Sequence, residues 1–236
     1  MPLESLSIVI PAYNEERRLG RTLRITLDYL RRRKLAYEIV VVDDGSIDRT
    51  VEVALEYATR GVRVLRNRVN HGKGYSVRRG VLSARHARVL FMDADLSTPI
   101  ETLDQWAGEE GDVVIGSRFL RGSRIVLRQP WPRRVSGQVF RRLVSWLVLP
   151  GLHDSQCGFK LFTRKAAREV FARQTVRRFC FDVEVLAIAR QQGLRIRELP
   201  VMWRNSDDTK VRLVHDSIGM FVDLLRIRGS GLKFEV

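Results

Sequence analysis

Asp93 and Asp95 follow the apolar run 89–92 and give the sharpest chemical signal in the chain. On an extended segment, side chains two apart project to the same side. The two carboxylates would therefore repel each other unless a cation or water lies between them. Oxygen ligands suit Mg²⁺ or Mn²⁺, and such an ion can grip a diphosphate. The competing role for an aspartate here is to cap a helix or close a turn. Thr98, Pro99 and Glu101 read as N-cap, first helical residue and return half of a capping box, so the cap is expected at Thr98. Asp43 and Asp44 follow the run 38–42 and precede Gly45 and Ser46. They are either turn formers or acceptors for a base N–H or ribose hydroxyls. Lys73 lies in His71-Gly72-Lys73-Gly74 before a helical pattern, where loop amides and a lysine suit a phosphate. A solvated turn lysine is the alternative.

These residues need a scaffold that brings them together. The runs 6–10, 38–42, 62–65, 89–92 and 113–115 are short and β-branched, and most are nearly continuous in apolar character. Such runs suit strands covered on both faces. Helical patterns over 15–33, 49–59 and 74–87 alternate with them. The alternation predicts an α/β fold with a mostly parallel central sheet and helices on both faces. Ligands of open α/β sheets bind beyond the carboxyl ends of the strands. There the first strand leads into Pro11, Ala12, Tyr13, Asn14 and Glu15. No GxGxxG follows it, which argues against a dinucleotide-binding domain. The ends of the first, second and fourth strands converge on one crevice.

The second half is less regular. Residues 118–142 hold eight arginines and no acidic residue. Over 138–149, Gln138, Arg141, Arg142 and Ser145 alternate with Phe140, Leu143, Val144 and Leu147 at helical spacing, predicting an amphipathic helix with a basic face. Ile218, Phe221, Val222 and Leu225 repeat the spacing in a C-terminal amphipathic helical portion. The 236 residues suit one domain, divided here into a donor half (1–117) and an acceptor-side half (118–236). The net charge of +15 points to a polyanionic partner. No nucleic-acid-binding signature accompanies it, and strand-end carboxylates repel phosphates, so nucleic acid is not the expected partner. Cys157 and Cys180 read as buried thiols, and Phe159, Phe162, Phe179 and Phe181 as core. No apolar run reaches the ~18 residues of a membrane span. The arginine-rich stretch with Trp131 and Trp146 instead resembles an interfacial element at an anionic membrane surface.

Taken in order, PAYNE (11–15), VVDDGS (41–46), HGKG (71–74) and DAD (93–95) resemble the family 2 glycosyltransferases of the GT-A fold. Gly116-Ser117-Arg118, DSQCGFKLF (154–162) and RFCFDVE (178–184) look like the dolichyl-phosphate β-glucosyltransferase branch. The similarity spans residues 6 to about 228.

The resemblance implies a Rossmann-like GT-A sheet and a role for each matching position. Pro11, Ala12, Tyr13 and Glu15 would flank the nucleotide, with Asp43 on the base side and Lys73 and Gly74 along the same pocket. Asp93, Ala94 and Asp95 would meet the donor diphosphate, the two aspartates through Mg²⁺ or Mn²⁺. Ser97 stands where mannose-transferring relatives often carry Gln, so the resemblance supplies no third protein ligand there. Asp95, Arg118 and Asp154 are the catalytic candidates, the last two facing the sugar or the acceptor. The implied reaction is inverting transfer of a hexose to a polyprenyl or dolichyl phosphate at the cytosolic face of a membrane. UDP-glucose is the favoured donor and GDP-mannose the second; a soluble acceptor is the rival. A lipid phosphate is already an anion near neutral pH and needs no strong base. Asp154→Asn is then expected to be mild with a phosphate acceptor and severe with an alcohol.

Overall fold

The computed structural model describes residues 4–106, 108–127, 130–205 and 213–230. Strands β1 (Ser5–Ala12), β2 (Ala36–Asp43), β3 (Val62–Arg66), β4 (Arg88–Met92) and β5 (Val113–Ser117) contain the five apolar runs. Helices α1 (Leu19–Arg32), α2 (Thr50–Leu55) and α3 (Lys73–Leu82) connect the first four. Each helix is shorter than its periodicity predicts. Glu15–Arg18 is a turn, whose Glu15 carbonyl accepts from the N–H groups of Arg18 and Leu19. α2 gives way to a 3₁₀ turn, Ala58–Arg60, ended by Gly61 at φ +85°. α4 (Thr102–Gln105) is a single turn and has no side-chain cap. Thr98 is not that cap: its Oγ1 lies 3.9 Å from Cys157 Sγ. Residues 99–103 are joined instead by i+3 bonds from Thr102 to Pro99 and from Leu103 to Ile100, a tighter winding that buries Ile100 and Leu103.

The remaining elements are β6 (Arg124–Leu127), α5 (Trp131–Leu147), β7 (Phe159–Thr163), α6 (Arg164–Arg173), α7 (Phe181–Gln191), β8 (Ile196–Pro200), β9 (Met202–Arg204) and α8 (Leu213–Gly229). The main sheet runs β3-β2-β1-β4-β7-β5-β8, and β6 pairs with β9 in a separate ribbon. β7 is antiparallel to both β4 and β5; the other main-sheet pairings are parallel. The expected mostly parallel sheet is therefore present.

The apolar runs divide by strand alternation into two cores. Ile8, Ile10, Ile39 and Val41 pack with Leu23 and Leu27 of α1 on one face. Val9, Val40, Val42 and Phe91 pack with α3, α6 and α7 on the other. α3 approaches the sheet closely at Gly80, where an added Cβ would lie 2.4 Å from Val9 Cγ1 and 2.9 Å from Val42 Cγ2. Gly80→Ala is expected to lower stability by about 1–3 kcal/mol through overpacking, read as a fall in urea midpoint.

The two outer helices depart from simple amphipathicity. α5 begins at Trp131, earlier than its spacing predicts, and buries Val144 while exposing Trp131 (72%), Val135, Val139 and Trp146 (80%). The outward side of α5 thus carries apolar residues among its arginines. On α8, the stripe Ile218, Phe221, Val222 and Leu225 is exposed, whereas Leu224 and Ile227 fill the core. Both helices have an apolar outer side in addition to the one the core uses. No helix among the described residues is long and apolar enough to cross a membrane.

Candidate active site

The carboxyl ends of β1, β2 and β4 open onto a crevice of about 250 Å³. Its wall includes Pro11, Ala12, Tyr13, Glu15, Asp44, Gly72, Lys73, Asp93, Ala94 and Asp95. Most residues read from the sequence as donor-binding therefore meet here. Asp43 and Gly74 lie behind this wall. Asp43 is fully buried and accepts from Ser46 N, while its Oδ2 has no hydrogen-bond partner. Gly74 is a packing position: an added Cβ would lie 2.5 Å from Val176 O and 2.9 Å from Arg178 O. Asp44, read as a turn former or acceptor, holds the Lys73 loop. Its carboxylate accepts from His71 N at 3.1 Å, Gly72 N at 2.8 Å and Asn67 Nδ2 at 2.7 Å. Gly72 meets that approach at φ +101°, with Arg177 O only 2.6 Å from where a Cβ would be.

Asp93 and Asp95 line the crevice together. Asp95 also closes a local turn, accepting from Ser97 N at 2.9 Å. Burial, and then the neighbouring Asp93 charge, hold the Asp95 carboxyl above its usual range. The protein sets positive charge against both aspartates: Lys73 Nζ is 2.7 Å from Asp93 Oδ1, and Arg18 Nη1 is 4.0 Å from Asp95 Oδ2. Burial opposes the charge on Lys73, but Asp93 and Asp182 outweigh it and raise its pKa. Gly158 makes room beneath Asp93, since a Cβ there would stand 2.0 Å from Asp93 Oδ2. This paired, cation-facing oxygen set fits a divalent ion. Among the described residues no third His, Cys, Asp or Glu completes a cluster. The remaining ligands would be phosphate oxygens and water, the arrangement Mg²⁺ favours.

Under this pair runs a second charge pair that the sequence reading missed. Lys160 is 1% exposed and donates to Asp182 and to Cys157 O. Burial raises the Asp182 carboxyl despite Lys160 and Lys73. Glu184, two residues on from Asp182, is an anchor as well: it accepts from the backbone of Thr175 and Val176. An apolar strand such as FKLFT gives no warning that its lysine is interior. The buried thiols are as read, with Cys157 pushed up to about 12 by burial.

A larger cavity, about 550 Å³, continues from the aspartates toward α5 and α8. Arg118 and Trp203 stand on its inner wall, and Val139, Phe140, Leu143, Met220 and Phe221 line it farther out. Asp154 is not on this wall. It is 2% exposed, and both its oxygens accept from Arg118: Oδ2 from Nε at 2.7 Å and from the backbone N–H at 3.0 Å, Oδ1 from Nη2 at 2.9 Å. Burial works against the Asp154 carboxylate, but Arg118 outweighs it and lowers the pKa. The expectation that Asp154 faces sugar or acceptor is thus replaced by a narrower role, holding Arg118. Nη1 is the guanidinium nitrogen not engaged by Asp154, and the Trp203 and Phe119 rings flank the group at 5.4 and 5.6 Å. Phe159, Phe162 and Phe181 are core as read; Phe179 is not, and lines both spaces.

This sheet, with an acidic pair beyond β4 and a second cavity leading outward, is the GT-A architecture. Glucosyl-3-phosphoglycerate synthase of Mycobacterium tuberculosis, in complex with Mn²⁺, UDP and glucosyl-3-phosphoglycerate, shares it with a TM-score of 0.71 at 22% identity, over 96% of this chain and 80% of that one. The chain belongs to glycosyl transferase family 2, whose family model matches residues 7–171. It is 38% identical over 241 residues to dolichyl-phosphate beta-glucosyltransferase ALG5D of Trichomonas vaginalis, covering 96% of this chain and 73% of the relative. The human dolichyl-phosphate beta-glucosyltransferase is 36% identical over 246 residues, covering 96% and 76%.

Proposed function

We propose that this glycosyltransferase moves glucose from UDP-glucose to a polyprenyl phosphate of the dolichyl type, with inversion. The names of its relatives support glucose and dolichyl phosphate. The observation that carries the reading is the shape of the larger cavity. It has a charged inner end, where Arg118 and Lys73 stand beside the aspartates, and an apolar wall leading outward; with a cation on the acidic pair this fits an amphiphile with an anionic head and a long hydrocarbon chain. A small soluble acid would leave that wall unused.

In this reading residues 1–117 carry most of the donor crevice, with Arg178 and Phe179 completing its wall, and 118–236 supply the acceptor side of one domain. Asp93 and Asp95 would hold Mg²⁺ or Mn²⁺, which when bound supplies positive charge against the departing diphosphate. Lys73 adds a second charge beside the same phosphates. Asp43 Oδ2, which makes no hydrogen bond and lies 3.8 Å from Arg66 Nε, would be the acceptor on the base side of the pocket. Arg118 meets the acceptor phosphate through Nη1. An oxygen of that phosphate attacks the anomeric carbon, the bond to the β-phosphate oxygen breaks, and its electron pair leaves with UDP. No protein base is required, which agrees with an Asp154 whose two oxygens are engaged by Arg118.

The exposed apolar sides of α5 and α8, interleaved with arginines, would rest on the cytosolic face of an anionic membrane. Trp131→Ser with Trp146→Ser is expected to weaken sedimentation with anionic vesicles about tenfold or more, since each buried apolar side chain contributes roughly 1.5–3 kcal/mol. Equal sedimentation of variant and parent would remove this surface from the reading.

The transfer test is direct. The purified chain is given Mn²⁺ or Mg²⁺, labelled UDP-glucose or GDP-mannose, and either dolichyl phosphate or 3-phosphoglycerate. Label is expected in the organic phase with UDP-glucose and dolichyl phosphate. Label only in the aqueous product with 3-phosphoglycerate would sink the lipid acceptor, and preference for GDP-mannose would sink the donor.

A further inference from the structure

Four described residues border both the crevice and the larger cavity: Lys73, Asp93, Asp95 and Phe179. Three are charged and belong with phosphates and a cation. Phe179 is neutral, and the fold has left it partly exposed while its neighbours Cys180 and Phe181 are buried. Among the described residues, no aromatic ring pair includes it. Nor does it belong to either hydrophobic core or to the partly buried residues packed against them.

The turn that carries Phe179 is fixed relative to the Lys73 loop. Tyr75 N donates to Arg177 O at 3.0 Å, and Gln174 Nε2 donates to Gly74 O at 3.0 Å and Val176 O at 2.7 Å. Glu184 holds the same segment from α7. The backbone that leads to the ring is thus anchored beside the acidic pair, where the two spaces meet.

On the donor reading above, the transferred hexose must occupy this junction, because its anomeric carbon lies between the diphosphate and the acceptor. A hexopyranose has a polar rim and faces of C–H groups. Asp93, Asp95 and Lys73 suit the diphosphate and the rim; none suits a C–H face. We infer that Phe179 is a positioning residue for the donor sugar, its ring forming the apolar wall against which one face of the hexose lies. Its contribution is to orientation, and it takes no part in bond making.

The test compares Mn²⁺-UDP with Mn²⁺-UDP-glucose by calorimetry in the parent, Phe179→Ala and Phe179→Trp. Phe179→Ala is expected to weaken UDP-glucose about tenfold while UDP changes less than about twofold. Its kcat should fall about 10–100-fold, with the melting temperature unchanged. Phe179→Trp should recover most of the UDP-glucose affinity. Parallel loss of both ligands in Phe179→Ala would mean that the turn only supports the nucleotide loop, and unchanged affinity and kcat would mean that the ring touches no sugar; either overturns the inference alone. A parent protein that bound neither ligand would overturn the donor reading, and this inference with it.

Discussion

Asp93→Asn combined with Asp95→Asn is expected to reduce transfer roughly a thousandfold or more, because several kcal/mol of charge stabilisation would be lost at about 1.4 kcal/mol per tenfold. The cost should fall on chemistry and leave folding intact. Burial and Asp93 hold the Asp95 carboxyl high, so its charge opposes folding at neutral pH. Asp95→Asn alone should therefore leave the melting temperature unchanged or raise it by up to about 4 °C, roughly 1 kcal/mol. The sign also fixes the pH dependence. A carboxyl with a raised folded-state pKa is destabilising above that pKa, and the penalty disappears as pH falls and the group protonates. The gap between parent and Asp95→Asn should close in acid. Melts across pH, with initial rates of lipid glucosylation, check both parts. Retained turnover in the double variant would end the case for a cation at this pair.

Asp154→Asn should be severe whatever the acceptor, whereas the sequence led one to expect a mild effect with a phosphate acceptor and a severe one with an alcohol. The carboxylate is a buried counter-ion whose two oxygens are both engaged by Arg118. Removing its charge leaves the part-buried guanidinium without its counter-ion, at a cost of up to about 3 kcal/mol. A denaturant melt should register that loss. Arg118→Met with Asp154→Leu separates the roles. Removing both charges should recover most of the stability, since apolar replacements of buried pairs are often neutral. Transfer should stay at least about a hundredfold down, because the contact proposed between Arg118 and the acceptor phosphate would be lost. Recovery of activity along with stability would make the pair purely structural.

The elements read best from sequence were those whose signal is local. Five apolar runs became five strands because most are covered on both faces, and a nearly continuous run needs no knowledge of its partners; edge strand β3, broken by Arg63, is only partly buried. The acidic pair was visible for the same reason: its chemistry resides in three consecutive residues after a strand. What stayed hidden depends on partners distant in the chain. Asp154 meets Arg118 across 36 positions, and nothing in the spacing says the two oxygens are taken. Lys160 is interior only because Asp182 lies beside it. Phe179 could not be told from Phe181, since adjacent aromatics look alike until the turn is known. On α8 the periodic stripe was real but faced outward, because a helix apolar on two sides has no period that names the inner one.

The antiparallel placement of β7 bears on how the protein is made. Met92 registers with Phe159, and Ile115 with Lys160, so β4 and β5 cannot join one sheet until a late segment slots between them. Until then each presents an open edge, the kind of surface that recruits other strands. The floor beneath Asp93, supplied by Gly158, arrives with that same segment. A nascent chain released before residue 158 would carry the acidic pair yet lack the ground it rests on. Assembly should therefore be slow, governed by one long-range closure, with premature release favouring aggregation over a partly active fragment.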